Sequence, residues 1–125
     1  MPQLPYSIEL HDSKLFGVRS TQEQVTLELR PSYVHRDGKG WRQNADIEIR
    51  GVRSEVNTAL APVRIADGDL KTPSGPYHNL LMLPLSDVGP VRLRLELETG
   101  EVLELDGSAI SVRMLGEPVF VELFN

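Results

Sequence analysis

Cysteine is absent from this chain of 125 residues, which excludes disulfides, thiolate metal ligands and cysteine nucleophiles. Aromatic residues make up only 6% of the sequence, and the longest apolar run, LLMLPL, is interrupted by a proline. No segment approaches the roughly 18 apolar residues of a membrane-spanning helix. The N-terminus lacks the basic and apolar regions of a secretory signal. These absences predict a soluble, cytoplasmic protein without a membrane partner.

Positive charge is also scarce. The chain has 13 Lys and Arg residues and 18 Asp and Glu residues, which gives a net charge of −5. Binding to a nucleic-acid backbone needs a clustered basic surface, so we predict no nucleic-acid partner. Residues 65–125 carry four basic and ten acidic side chains. Such an acidic half would steer a basic partner, although a merely solvated acidic surface is the simpler interpretation.

Alternation of apolar and polar residues is the strongest pattern that is present. It runs through QVTLELR, ADIEIRGV and VRLRLELE, each of which predicts a strand with one buried and one exposed face. Turn signals at Thr99-Gly100 and Asp106-Gly107 separate EVLEL and SAISVRML, and PVFVELF forms a last strand that begins at Pro118. We predict an all-β fold, an antiparallel β-sandwich or barrel-like sheet pair of about seven to nine short strands, with at most one short helix.

The segments between these strands are rich in glycine and proline. VHRDGKGWRQN predicts a mobile loop or a long hairpin tip, and SEVNTALAP predicts one or two helical turns that end at Pro62. ADGDLKTPSGPYHN predicts a loop, and LLMLPL predicts a buried strand that ends at Pro84. One domain is therefore expected over residues 1–125, with a flexible insert at about 66–79.

His11, Asp12 and Ser13 stand side by side in LHDSKL and suggest a catalytic site. Successive side chains of an extended segment point to opposite sides, so these three cannot form a proton relay among themselves. A metal-dependent phosphohydrolase would need further histidines on helices, and only His35 and His78 remain. We predict a structural turn in which Asp12 or Ser13 binds main-chain N–H groups one or two residues further along the chain, while His11 braces the turn against a neighbouring strand. No metal site and no cofactor are predicted.

Aromatic side chains are the candidates for contacts with a partner. Trp41, in a glycine-flanked loop, would either anchor a partner or fold over one end of the sandwich. Phe120 and Phe124 alternate with Val119, Val121 and Leu123. If the valine and leucine face is core, the two phenylalanines need cover from another chain or from the insert. The predicted partner-binding residues are Trp41, Tyr33, Tyr77, Phe120 and Phe124.

The stretch LHDSKL followed by QVTLELR resembles the opening of several small bacterial all-β proteins of uncharacterised function. The later VRLRLELETGEVLELDGSAISV and the terminal EPVFVELF extend this resemblance over most of the chain. Some of these proteins are similar to immunity proteins of contact-dependent toxin systems. The resemblance implies a non-enzymatic binding protein that neutralises a toxin, and it supplies no catalytic residues.

The sequence therefore predicts a non-enzymatic domain that binds a protein partner, either another protein or a second copy of itself. One alternative is a hydrolase or isomerase that uses His11 and Asp12 with a distant histidine. The other is a carbohydrate-binding module that uses Trp41 and Tyr77. The positions of the three histidines and of the two aromatic side chains distinguish these alternatives.

Overall fold

Nine strands make up most of the protein in a computed structural model that describes residues 6–53 and 55–123. The strands are β1 (Tyr6–Glu9), β2 (Lys14–Ser20), β3 (Gln24–Arg36), β4 (Lys39–Arg50), β5 (Val63–Thr72), β6 (Gly75–His78), β7 (Leu80–Leu83), β8 (Ser86–Leu97) and β9 (Val102–Leu123). The helical content of the described residues is one short 3₁₀ helix, Thr58–Leu60. The predicted all-β class and the single short helix are confirmed.

Six of the strands close into a barrel-like ring. Their order is β2-β5-β8-β9-β4-β3, and β3 then pairs back with β2, so that every neighbouring pair is antiparallel. Outside this ring, β1 pairs with β3, β7 pairs with β1, and β6 pairs with β5. Among the described residues there is no helix of the length and apolar character that a membrane crossing requires.

β3 serves both the ring and its extension. Its first half pairs with β2 through residues 25–29, and its second half pairs with β1 through residues 33–35. Between the two halves the pairing with β4 shifts register at Arg30 and Pro31, where the proline has no N–H to donate. β1 and β2 therefore lie end to end along β3, and the turn between them crosses this irregularity.

The hydrophobic core follows the predicted alternation. The apolar positions of QVTLELR, ADIEIRGV and VRLRLELE are no more than 3% exposed, apart from the peripheral Val52. They belong to one continuous cluster that also contains Ile8, Leu10 and Leu105. Leucine is not a favoured strand residue, but each buried side chain contributes about 1.5–3 kcal/mol, which outweighs that weak preference.

The prediction of a loop within residues 66–79 is wrong, because these residues form the end of β5, a short turn and β6. A Cβ atom on Gly68 would lie only 2.5 Å from Leu10 and 3.0 Å from Leu95. Glycine thus permits close packing within a strand at this position. Pro73 lies in the turn and Pro76 in β6, where it opposes Lys71. The flexibility of the insert stays a prediction.

The segment VHRDGKGWRQN forms the tip of the β3–β4 hairpin, which was one of the two predicted alternatives. Asp37 and Gly38, with φ angles of 56° and 70°, make a two-residue turn of the kind that antiparallel strands prefer. Trp41 lies in β4 opposite Val34 and not in a loop. The loop placement is wrong because strand pairing continues to the residues that flank the turn.

β9 is one strand of 22 residues where the sequence predicted three. Asp106-Gly107, predicted as a turn, lies inside the strand. Gly107 is so close to β4 that a Cβ atom on it would lie 2.6 Å from the main-chain oxygen of Arg50. Glycine allows the two strands to approach closely here. Pro118 also lies inside β9, beside a register shift against β4 where a donor is not required.

Two predicted faces are more exposed than the sequence suggested. LLMLPL becomes β7 with Leu81 and Leu83 buried, but Leu80 and Met82 are exposed because β7 is covered on one face only. At the end of β9, Val119 and Leu123 are each 62% exposed, so neither side chain belongs to the core. Phe124, one of the predicted contact residues, lies outside the described residues.

Candidate functional site

The HDS stretch is the turn between β1 and β2. The Ser13 N–H donates to the Leu10 carbonyl at 3.0 Å, and Asp12 adopts a φ of 79°. The Ser13 hydroxyl donates to the Glu9 carbonyl at 2.6 Å and accepts from the Tyr33 N–H at 3.0 Å. The bonds run back to β1 and across to β3, not forward as predicted. Because this hydroxyl is fully buried and engaged twice, Ser13 is not placed to act as a nucleophile.

Glu9 brings two of the three histidines together. One carboxylate oxygen lies 2.6 Å from His35 Nε2, and the other lies 3.9 Å from His11 Nδ1. The same His11 nitrogen is 3.3 Å from Asp12 Oδ1. The His11 main-chain N–H donates to Asn79 Oδ1 at 2.7 Å, which ties the turn to the segment after β6. The sequence pattern indicated His11 and Asp12 as candidate site residues, but nothing in it indicated Glu9.

His78, the third histidine, has its polar partners on its own hairpin. Its Nδ1 lies 2.5 Å from Asp69 Oδ1, and its Nε2 lies 3.9 Å from Asp67 Oδ1. The hydrogen bond and the charge of Asp69, followed by the charge of Asp67, raise the pKa of His78. The hydrolase alternative therefore keeps His11 and His35, which both lie beside Glu9, whereas His78 is paired with Asp69.

Glu9, His11 and Asp12 could together hold a divalent cation. One ligand atom from each side chain lies within 4.8 Å of the other two. A tetrahedral zinc site has bonds of about 2.0–2.1 Å and hence ligand separations of about 3.3 Å. The His11–Asp12 separation of 3.3 Å matches this value, and the His11–Glu9 separation of 3.9 Å is longer. His35 would then orient the Glu9 carboxylate from behind. His11 and Asp12 are half exposed, which would leave such an ion open to solvent.

Tyr33 connects this cluster to the end of β9. Its hydroxyl donates to Glu122 Oε1, and its ring meets the His35 ring edge-on at 5.3 Å and 70°. Burial raises the pKa of the Tyr33 phenol far above its usual value, and the hydrogen bond and charge of Glu122 raise it further. The phenol remains protonated and serves as a donor. Tyr33 opposes Arg42 in the β3–β4 pairing, on the face away from Trp41.

A cavity of about 340 Å³ adjoins the turn and is basic. We call it the basic pocket. Its charged walls are Lys14 from β2, Arg42 from β4, Arg64 from β5 and the carboxylate of Asp12. Pro31, Ser32 and Tyr33 complete its lining. In the part of the chain that the structure describes, Lys14, Arg42 and Arg64 form no ion pair within 4.0 Å. The sequence did not predict this pocket, because its cations come from three separate strands.

Trp41 and Phe120 pack together on the opposite face of the sheet. Their rings meet edge-to-face at 5.6 Å and 78°, and the indole N–H donates to the Arg36 carbonyl at 3.3 Å. Trp41 is partly buried against the core, whereas Phe120 is 51% exposed. The exposed apolar side chains at this strand end, which we call the β9 apolar segment, are Phe120, Val119 and Leu123. Phe120 and Leu123 lie opposite Trp41 and Lys39, whereas Val119 lies opposite Arg42 on the other face.

Tyr77 lies apart from these aromatic side chains, in a groove of about 390 Å³ on β5, β6, β8 and β9. Trp41 is not among the described residues that line this groove. Among the charged side chains that line the groove, His78 is paired with Asp69 and Arg94 with Glu104, and Arg92 is paired with Asp106 of β9. The carbohydrate-binding alternative required Trp41 and Tyr77 together, and they do not share this groove.

Comparisons of the chain with protein-family models, with curated proteins and with solved structures found no match. The resemblance to small bacterial proteins and their immunity-like members therefore stays a prediction.

Proposed function

We propose that this protein is a non-enzymatic binding domain whose β9 apolar segment contacts a partner protein. The observation that carries the proposal is the exposure of Val119, Phe120 and Leu123, at 62%, 51% and 62%, along one strand end. Isolated exposed apolar side chains are ordinary on protein surfaces. Here three lie within five residues, and Phe120, which packs on the partly buried Trp41, resembles the aromatic anchors that dominate protein–protein binding.

The main chain of this strand end supports the same proposal. Residues 119–123 pair with β4 on one edge, through positions such as Trp41 opposite Phe120. β8 pairs with β9 only as far as Ser111, and the next bond on that side joins Val112 N–H to the Leu85 carbonyl. Beyond this point no strand of the described residues covers the second edge. An open edge is a template for adding a strand from another chain.

The charge of the region indicates what kind of strand it would accept. Glu117 and Glu122 are exposed on this strand end, and the open edge lies on the side away from β4, whose Lys39 and Arg42 are opposite Leu123 and Val119. Residues 65–125 carry ten acidic and four basic side chains. An extended segment with apolar side chains and basic flanking residues would match this surface in shape and in charge. The proposal gives the contacts among Glu9, His11 and His35 a structural role, since they tie the turn to β3.

The experiment compares the purified wild type with Phe120→Asp and with Phe16→Asp. Phe16, on β2, is a matched control because it is 54% exposed, close to the exposure of Phe120. A protein captured by the wild type and by Phe16→Asp, but not by Phe120→Asp, is then purified and its affinity is measured. We expect Phe120→Asp to weaken that affinity at least about thirtyfold, as loss of a central aromatic contact does.

Two results would contradict the proposal. The first is equal affinity of all three forms for every captured protein. The second is a dimer of the wild type in sedimentation experiments that Phe120→Asp converts to a monomer, since a second copy of the chain would then occupy the segment. Circular dichroism and thermal unfolding establish beforehand that both variants are folded.

A further inference from the structure

The strands place three cations around one cavity. Lys14 is the first residue of β2, Arg64 lies near the start of β5, and Arg42 lies on β4 opposite Tyr33. All three side chains line the basic pocket. The chain as a whole carries a net charge of −5, so this concentration of positive charge runs against its overall balance.

Two of these cations oppose each other directly. Lys14 and Arg64 are register partners in the β2–β5 pairing. Like charges at directly opposite positions of an antiparallel pair destabilise it. Neither side chain forms an ion pair with a carboxylate of the described residues, so the repulsion is not relieved within that part of the protein. An anion between the two side chains would relieve it.

The remaining polar groups of the pocket are engaged elsewhere. The Ser32 hydroxyl donates to the Gln43 carbonyl at 2.6 Å, and the Tyr33 hydroxyl donates to Glu122. Asp12 is the single carboxylate among the described lining residues, and it lies 3.3 Å from His11 Nδ1. Three cations and one carboxylate give the lining of the pocket a net charge of +2, which a bound dianion would neutralise.

We propose that the basic pocket binds the dianionic phosphate group of a small organic phosphate ester. Arginine side chains recognise phosphate oxygens through paired N–H donors, and lysine adds a point charge. A cavity of about 340 Å³ is larger than one phosphate group needs, and Pro31 and the Tyr33 ring provide an apolar wall for the organic part. This inference concerns a site other than the β9 apolar segment and does not depend on a partner protein.

The test measures binding of phenyl phosphate, inorganic phosphate and benzoate by calorimetry, together with their effect on the melting temperature. The variants are Arg64→Gln and, as a matched control, Arg92→Gln, whose arginine is paired with Asp106 at 2.8 Å on β9. We expect phenyl phosphate to bind the wild type and the control equally. Arg64→Gln should bind it about tenfold more weakly or worse, since a charged hydrogen-bonding group is lost.

The melting temperature without any anion gives a second readout that a merely structural role of Arg64 would not produce. Removal of the repulsion with Lys14 should leave the melting temperature of Arg64→Gln equal to that of the wild type or higher, while abolishing the rise caused by phenyl phosphate. Equal binding of inorganic phosphate and phenyl phosphate would assign the site to free phosphate and overturn the ester. Failure of both to bind, preferential binding of benzoate, or unchanged binding by Arg64→Gln would overturn the phosphate site itself.

Discussion

Ser13 joins three stretches of chain through one buried hydroxyl group. It donates to the Glu9 carbonyl at the end of β1 and accepts from the Tyr33 N–H of β3, while its own main chain directly precedes β2. Buried main-chain groups need partners, and here a side chain supplies both. The sequence predicted a turn at this position. The partner in β3, 20 residues away, could not be predicted because it depends on how β1 and β2 align along β3.

Replacement of Ser13 by alanine should therefore destabilise the protein by about 1–3 kcal/mol, because a buried donor and a buried acceptor lose their partner. The measurement is the free energy of unfolding in urea. Ser20→Ala, at the exposed end of β2, is the matched control and should stay within about 0.5 kcal/mol of the wild type. Equal effects of the two substitutions would show that the Ser13 hydroxyl does not hold the turn.

Asp46 shows how one strand can be anchored on its outer face. Alternation places this residue of β4 on the solvent side, yet it is only 2% exposed. Arg30 of β3 covers it with a hydrogen bond of 2.9 Å and also donates to the Ala45 carbonyl at 3.0 Å. Arg113 of β9 and Arg19 of β2 approach the other carboxylate oxygen at 3.4 and 3.8 Å. The long arginine side chains bury a charge outside the hydrophobic core.

Truncation of Arg30 to alanine should lower the free energy of unfolding by about 3 kcal/mol, because it leaves a buried carboxylate without its closest partner. Arg113→Ala provides the contrast, since Arg113 is 63% exposed and its contact with Asp46 is longer. An exposed ion pair contributes about 0–1 kcal/mol, and the control should lose no more than that. Similar losses from both variants in urea unfolding would mean that Arg30 has no special place in the network.

Side-chain alternation predicts strand faces well, but strand ends much less so. Leu93 and Leu95 are buried as predicted, because burial of apolar surface dominates the local preference. Gly68 and Gly107 lie in segments that the sequence predicts as a loop and a turn, whereas both allow close packing inside long strands. A glycine has the same appearance in the sequence whether it serves a turn or a close contact, and only the neighbouring strands decide between the two.

The closed ring brings together residues that are far apart in the sequence, so no local sequence pattern could indicate the sites that they form. β2 and β5 meet through Lys14 opposite Arg64 and Leu15 opposite Val63, and this short pairing completes the ring. The basic pocket lies at this closure, with Arg42 added from β4. Strand order and register follow from packing of the whole molecule, so these residues were not predicted from the sequence. The β9 apolar segment was foreseen only in part, through Phe120.

The ring also bears on the prediction that residues 1–125 form one domain. Its buried side chains make one continuous cluster, against which Trp41, the single tryptophan, is partly packed. Tryptophan fluorescence and far-ultraviolet circular dichroism should therefore show the same midpoint in urea, because one core unfolds cooperatively. Leu95→Ala, on a strand that does not pair with β4, should lower both midpoints equally at a cost of about 2–5 kcal/mol. An earlier fluorescence transition, unmoved by Leu95→Ala, would show that the end carrying Trp41 unfolds as a separate unit.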